Sequence, residues 1–247
     1  MKNKEEIEKK IQISGSGDFT EFEEHISITG YAEISGGKTE KSMRISGSGS
    51  INGDLECNGL TSSGKVKGSG NFTSHADISS SGSFNIAGFL YGNADADFSG
   101  STEIGNLVNI QGSLIVSGSF KVGHFVRGEE GIRLSGSSNI NGNLSSEKDI
   151  KVDGSTYIEG NVVGENVLFG FTEKTKKKQH YKVHGSIHAK STVNVVKIHV
   201  DGDIKGKDIT IGRGSEILGN IYYVDNIDIG KKVKLTSEPK KIKLDEL

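Results

Sequence analysis

The chain has 247 residues, among them 35 Gly, one Pro, one Cys and no Trp. Glycine at about 14% is roughly twice its usual share, but it does not recur at every third position and Pro is nearly absent, which excludes a collagen-like triple helix. With 30 basic and 32 acidic residues the net charge is −2, so nothing pulls the whole chain toward nucleic acid or anionic lipid, and the single Cys57 excludes an intramolecular disulfide framework or a CxxC motif.

Residues 1–10, MKNKEEIEKK, read as a charged N-terminal tail without an apolar run, so no secretory signal is expected. No stretch approaches the ~20 apolar residues of a membrane span. A cytoplasmic protein is the resulting expectation.

From Ile11 onward glycine spacing organises the chain. A Ser or Asp precedes Gly64, Gly82, Gly100, Gly118, Gly136 and Gly154 at a constant interval of 18. Gly30, Gly47 and Gly64 are 17 apart. A second ladder follows six residues later: Gly36, Gly53, Gly70, Gly88, Asn106, His124, Gly142 and Gly160, continued by Gly185, Gly202 and Gly219. A fixed period of this kind marks a repeat architecture, in which each unit buries its apolar face only against its neighbours.

Apolar residues keep the same period. Two positions past the second ladder stand Leu55, Phe72, Leu90, Val108, Val126, Leu144, Val162, Ile187, Ile204 and Ile221. Pairs such as Leu114/Val116, Ile132/Leu134 and Ile150/Val152 are spaced by two, the period of a strand with one buried face. Gly, Asn, Ser and Asp cluster between the pairs, where the chain must bend. A helix is excluded by the period, and each Gly inside one would cost about 1 kcal/mol.

The spacing therefore predicts an all-β fold, a three-sided parallel β-helix (β-solenoid) over residues 11–235 with about 17–18 residues per rung. Eleven or twelve rungs at ~4.8 Å give a rod roughly 55 Å long with a narrow aliphatic core. The step from Gly160 to Gly185 is 25, which places a basic loop insertion at 171–182. Residues 236–247 read as a charged C-terminal tail.

The stretch from Val183 to Gly230 resembles the bactofilin repeat, V-x-G-x-I followed by paired β-branched residues. Val183-His184-Gly185-Ser186-Ile187 and Val200-Asp201-Gly202-Asp203-Ile204 match it, and Ile217-Leu218-Gly219-Asn220-Ile221 is closely similar. The period continues more loosely back to Ile11. The resemblance implies a right-handed β-helix of polymer-forming cytoskeletal type, assembling into filaments without nucleotide and serving cell-envelope, shape or motility processes. Its implied partners are further copies of itself and cell-envelope or motility proteins. This chain holds nearly twice the family's usual rung number.

Catalytic readings find little support in the residues. A hexapeptide-type acyltransferase would need a His general base; His124 is the candidate, but it occupies a Gly column and the paired apolar residues differ from a one-per-side hexad. His180, His184, His188 and His199 crowd one window, yet a metal needs several to converge. At a 17-residue stacking distance His184 meets Asp201 and His188 meets Lys205, so no two of the four stack. Asp95 and Asp97 have no acidic partner one rung on, where Ser113 and Ile115 stand. The GSG segments lack the following helix and GK[ST] of a phosphate loop. No catalytic residue, metal or cofactor is assigned.

Two candidate contact regions remain. Terminal rungs of a solenoid expose unpaired backbone groups unless capped; Ile11, Ile13, Phe19 and Phe22 at one end, and Ile221, Tyr223, Ile227 and Ile229 at the other, are the expected polymer interface. Lys174, Lys176, Lys177, Lys178 and Lys182 make the insertion basic and a candidate contact for an acidic partner or a membrane surface. Nucleic acid is not expected, since only Phe171 and Tyr181 flank the lysines where a single-strand platform needs several aromatics. A non-polymerising binding scaffold is the alternative.

Overall fold

The computed structural model describes residues 11–170 and 180–247. The alternating pattern folds into short strands, mostly of three or four residues, whose burial alternates inward and outward. They stack in about 12 coils of a parallel β-solenoid with three faces. Face 1 begins at His25–Thr29, face 2 at Tyr31–Lys38, and face 3 takes the end of that strand from Gly37 before Leu55 stacks on it.

The register follows the sequence period. On face 1, Ile78, Ala96, Leu114, Ile132, Ile150 and Val167 pair in succession. On face 3 the column two past the second ladder runs through Leu90, Val108, Val126, Leu144, Val162, Ile187, Ile204 and Ile221. These side chains are almost fully buried, each Val, Leu and Ile stabilising the fold by ~1.5–3 kcal/mol relative to exposure. Aromatics enter the core in packed groups: the Phe84 ring lies 5.6 Å from Phe72 and 5.4 Å from Phe98.

The corners show why these residue types repeat. Between faces 1 and 2, a Cβ on Gly136 would lie 1.7 Å from the Gly118 carbonyl oxygen, and Gly47, Gly64, Gly82, Gly100, Gly118 and Gly154 are as tightly stacked. Only glycine lets the backbone approach its neighbour this closely. Between faces 2 and 3, side chains support the next coil: Asp54 Oδ1 accepts from Asn71 N at 2.7 Å, and Asn143 Oδ1 from Asn161 N at 2.8 Å. Each such bond contributes about 1 kcal/mol net.

Three features depart from the sequence reading. At the N-terminus, Ile13–Ser14 pairs antiparallel with Tyr31–Lys38, and Asp18–Glu21 pairs antiparallel with His25–Thr29. The expectation of an uncapped first rung is thereby corrected: residues 13–21 are a cover, not a coil. An antiparallel reversal needs only a tight turn, closed here by Phe22 N donating to His25 O at 2.8 Å, whereas a parallel coil needs a full circuit. At the other end the solenoid runs past the expected boundary at 235, because Lys240–Lys241 pairs with Tyr222 and Tyr223. Beyond it, Leu244–Glu246 forms a short 3₁₀ turn that lies back over face 3, where Lys205 Nζ donates to the Glu246 carbonyl.

Candidate functional site

The two ends of the rod differ in what they leave unsatisfied. At the N-terminal end the edges of faces 1 and 2 are hydrogen-bonded to the antiparallel cover. Ile11 and Ile13 are half-buried and pack on the core. Phe22 stacks on His25 at 4.4 Å, and Lys41 Nζ reaches Glu21 Oε1 at 2.8 Å, pinning the cover to the first coils. Phe19 stays 52% exposed although it stands opposite the buried Ile28. Directly opposed residues of an antiparallel pair project to the same face, so Phe19 sits on the core side at the very end of the rod.

At the C-terminal end no strand among the described residues pairs with the outer edge of Asn226–Ile229. Ile227 packs on the core but is half-buried, and Ile229 is 39% exposed, while their partners one coil back, Ile209 and Ile211, are buried. Tyr223 is half-buried on face 3 beneath Lys241, so its expected place on the terminal rung is corrected. Ile221 is fully buried in the coil beneath, under the strand Lys240–Lys241, so its expected place in an interface is corrected. Val233 and Leu235, absent from the sequence-based set, also pack half-buried on the core end. The signal for them was present: Leu235 stands 18 past Ile217 and pairs with it.

Of the basic insertion, Lys174, Lys176, Lys177 and Lys178 lie outside the described residues. Lys182 lies on face 2, in register between Tyr157 and His199. The insertion leaves face 1 after Val167–Phe169 and returns to face 2 at Tyr181–Val183, with the Phe169 and Tyr181 rings 5.6 Å apart.

The histidine cluster is organised differently from the stacking argument. His184 Nδ1 meets Asp201 Oδ2 at 2.5 Å as expected, but His199 Nε2 meets Asp201 Oδ1 at 2.6 Å and its Nδ1 lies 3.3 Å from Glu216 Oε2. Two histidines thus share one carboxylate. Counting only residues one coil apart misses His199, which stands two along the same strand and so on the same side. No group of His, Cys, Asp or Glu among the described residues is arranged to hold a metal ion. His188 faces Lys205 in the next coil, and burial together with that ammonium pushes its pKa down. Near the other end His75 Nε2 lies 2.7 Å and Lys38 Nζ 3.3 Å from Glu56 Oε1, and hydrogen bonding to His75 and Lys38 lowers the Glu56 pKa.

No helix among the described residues is long and apolar enough to cross a membrane. No family model, curated protein or solved structure matches the chain.

Proposed function

We propose that this protein is a structural, non-catalytic rod whose copies stack end to end into filaments without nucleotide and whose lateral faces scaffold other proteins. The observation that carries this reading is the last coil: a strand edge at Asn226–Ile229 with no partner strand among the described residues, carrying half-covered Ile227 and Ile229. Such an edge is a template for another chain, and a contact that does not close on itself extends into a filament. The bactofilin-like repeat supports the same assignment, with cell-envelope or motility proteins, or a membrane surface met through the basic insertion, as the class of partner. The antiparallel cover at the N-terminal end favours a second reading, a rod that ends there and acts as a monomeric or dimeric scaffold.

Sedimentation and negative-stain microscopy with and without ATP or GTP test the proposal. Filaments independent of nucleotide are expected. A discrete monomer at concentrations on the order of tens of micromolar, within the range where assembly of exposed strand edges occurs, sinks it in favour of the second reading.

A further inference from the structure

We infer that the copies stack head to tail, the lysine-rich last coil of one on the acidic N-terminal cover of the next, so that the filament is polar. The inference rests on the end-to-end reading and adds its orientation.

Charge is the first argument. Residues 11–24 carry four acidic groups, Asp18, Glu21, Glu23 and Glu24, and no lysine or arginine. Residues 226–243 carry six lysines against two acidic groups. Tail-to-tail stacking would press two lysine-rich ends together, and head-to-head stacking two acidic ones. Unlike ends attract, and like-charge juxtaposition across an interface disfavours the wrong pairing.

Strand geometry is the second. Asp18–Glu21 lies across the face 1 edge at one end, and Asn226–Ile229 is the face 1 edge at the other. In a head-to-tail stack the face 1 strands of both copies run the same way, so the outer edge of Asp18–Glu21 meets the outer edge of Asn226–Ile229 in antiparallel orientation. The Ile13–Ser14 segment likewise faces Lys234–Leu235 on face 2. The cover then serves as an adaptor that is antiparallel to the strands on both sides of it.

Apolar complementarity is the third. Phe19 and Ile229 are both exposed, and both stand at the core side of face 1 at opposite ends. Stacking sets the Phe19 ring over Ile229, while Glu21, which pairs with Ile26, stands at the Ile227 position.

The test uses the full chain carrying Phe19→Cys or Ile229→Cys, treated with a short bis-maleimide under assembling conditions. Native Cys57 is fully buried and does not compete. Crosslinked dimers are expected from the mixture of the two variants and not from either alone. Dimers from Ile229→Cys alone overturn the orientation while leaving filaments intact. If neither filaments nor crosslinks form, the end-to-end reading falls and this inference with it. A second measurement does not depend on the cysteines. Glu23, Glu24, Lys231 and Lys241 are all exposed. Glu23→Lys with Glu24→Lys, or Lys231→Glu with Lys241→Glu, should each raise the critical concentration at least ~10-fold, and the four changes combined in one chain should restore assembly. Assembly of both double variants at the wild-type concentration overturns the inference.

Discussion

The N-terminal and C-terminal ends of this rod are built from the same repeat and treated oppositely. At the first coil the chain reverses, and Asp18–Glu21 satisfies the edge of His25–Thr29 from outside. At the last coil the strand ending in Ile229 has a partner beneath it and none above it among the described residues. Ile26 and Ile28 are buried where Ile227 and Ile229 are not. The difference teaches that stacking alone does not finish a solenoid. An inward residue is fully covered only when another layer lies over it, and here that layer is supplied by the chain itself at one end and by no strand among the described residues at the other.

The sharpest way to break the comparison is to charge the open end. Ile229→Lys places an ammonium on the core side of the seam, in the column of Phe19, where an unpaired charge costs several kcal/mol once buried. In the isolated chain the residue is half-exposed, so circular dichroism should be unchanged while the critical concentration rises by two orders of magnitude or more, since every 1.4 kcal/mol is tenfold. Filaments at the wild-type concentration with the fold intact would place the interface elsewhere. The matching probe at the covered end is Phe22→Ala. It removes the stack on His25 that holds the reversal, a loss of ~0.5–1.5 kcal/mol. Hydrogen exchange should speed up in residues 18–29 and nowhere in the last coils; uniform acceleration would show that the cover is part of the global fold.

The coils between the ends were legible in the sequence because one physical requirement repeats in each. From Gly47 to Gly154 the stacked corner leaves no room for a Cβ, and the inward columns are apolar apart from small residues such as Ser62, Ser80, Thr102 and Thr156, so both ladders could be read by counting. The ends break that logic. The cover at residues 13–21 contains Ile13 and Phe19 at plausible inward positions, and nothing local distinguishes an antiparallel reversal from a coil. Ile221 looked terminal because the period fades into lysines after it, yet Lys240–Lys241 still completes a circuit over Tyr222 and Tyr223. Strand pairing needs backbone groups and leaves outward side chains free, so a coil can close through lysines that no hydrophobic pattern reveals. The His199–Asp201 contact was missed for a related reason: neighbours along a strand matter as much as neighbours along the rod.

Salt sharpens the comparison more gently. If the acidic cover of one copy meets the lysine-rich coil of the next, raising ionic strength from 0.01 M to 0.15 M, which shortens the Debye length from about 30 to about 8 Å, should weaken assembly several-fold. Turbidity or sedimentation across a salt series reads this. Stacking of like ends predicts the opposite slope, because screening would then relieve repulsion between lysines.

Acid should loosen the covered end before the open one, by a smaller amount. Glu56 sits near the first coils, tied to His75 and Lys38, and these bonds hold its carboxyl below the usual glutamate range of about 4.3. A carboxyl with a depressed folded value binds its proton more readily in the unfolded chain. Its contribution is therefore fully present above the ordinary range and fades as pH falls through the lowered value. All three side chains are about one third exposed, so solvent screening keeps the effect small. The last coil has a looser tie, Lys234 Nζ at 3.5 Å from Glu216 Oε1 with His199 Nδ1 at 3.3 Å from Oε2, so acid should act on it less. Hydrogen exchange as pH is lowered from 5 toward 3, corrected for intrinsic rates, should show protection lost first around Glu56 and Lys38. Glu56→Gln should remove that pH dependence at the N-terminal coils and leave the C-terminal coils unaltered. Equal loss at both ends, or a dependence that survives the substitution, would mean that acid acts on the rod as a whole and that the ends differ only in their strand edges.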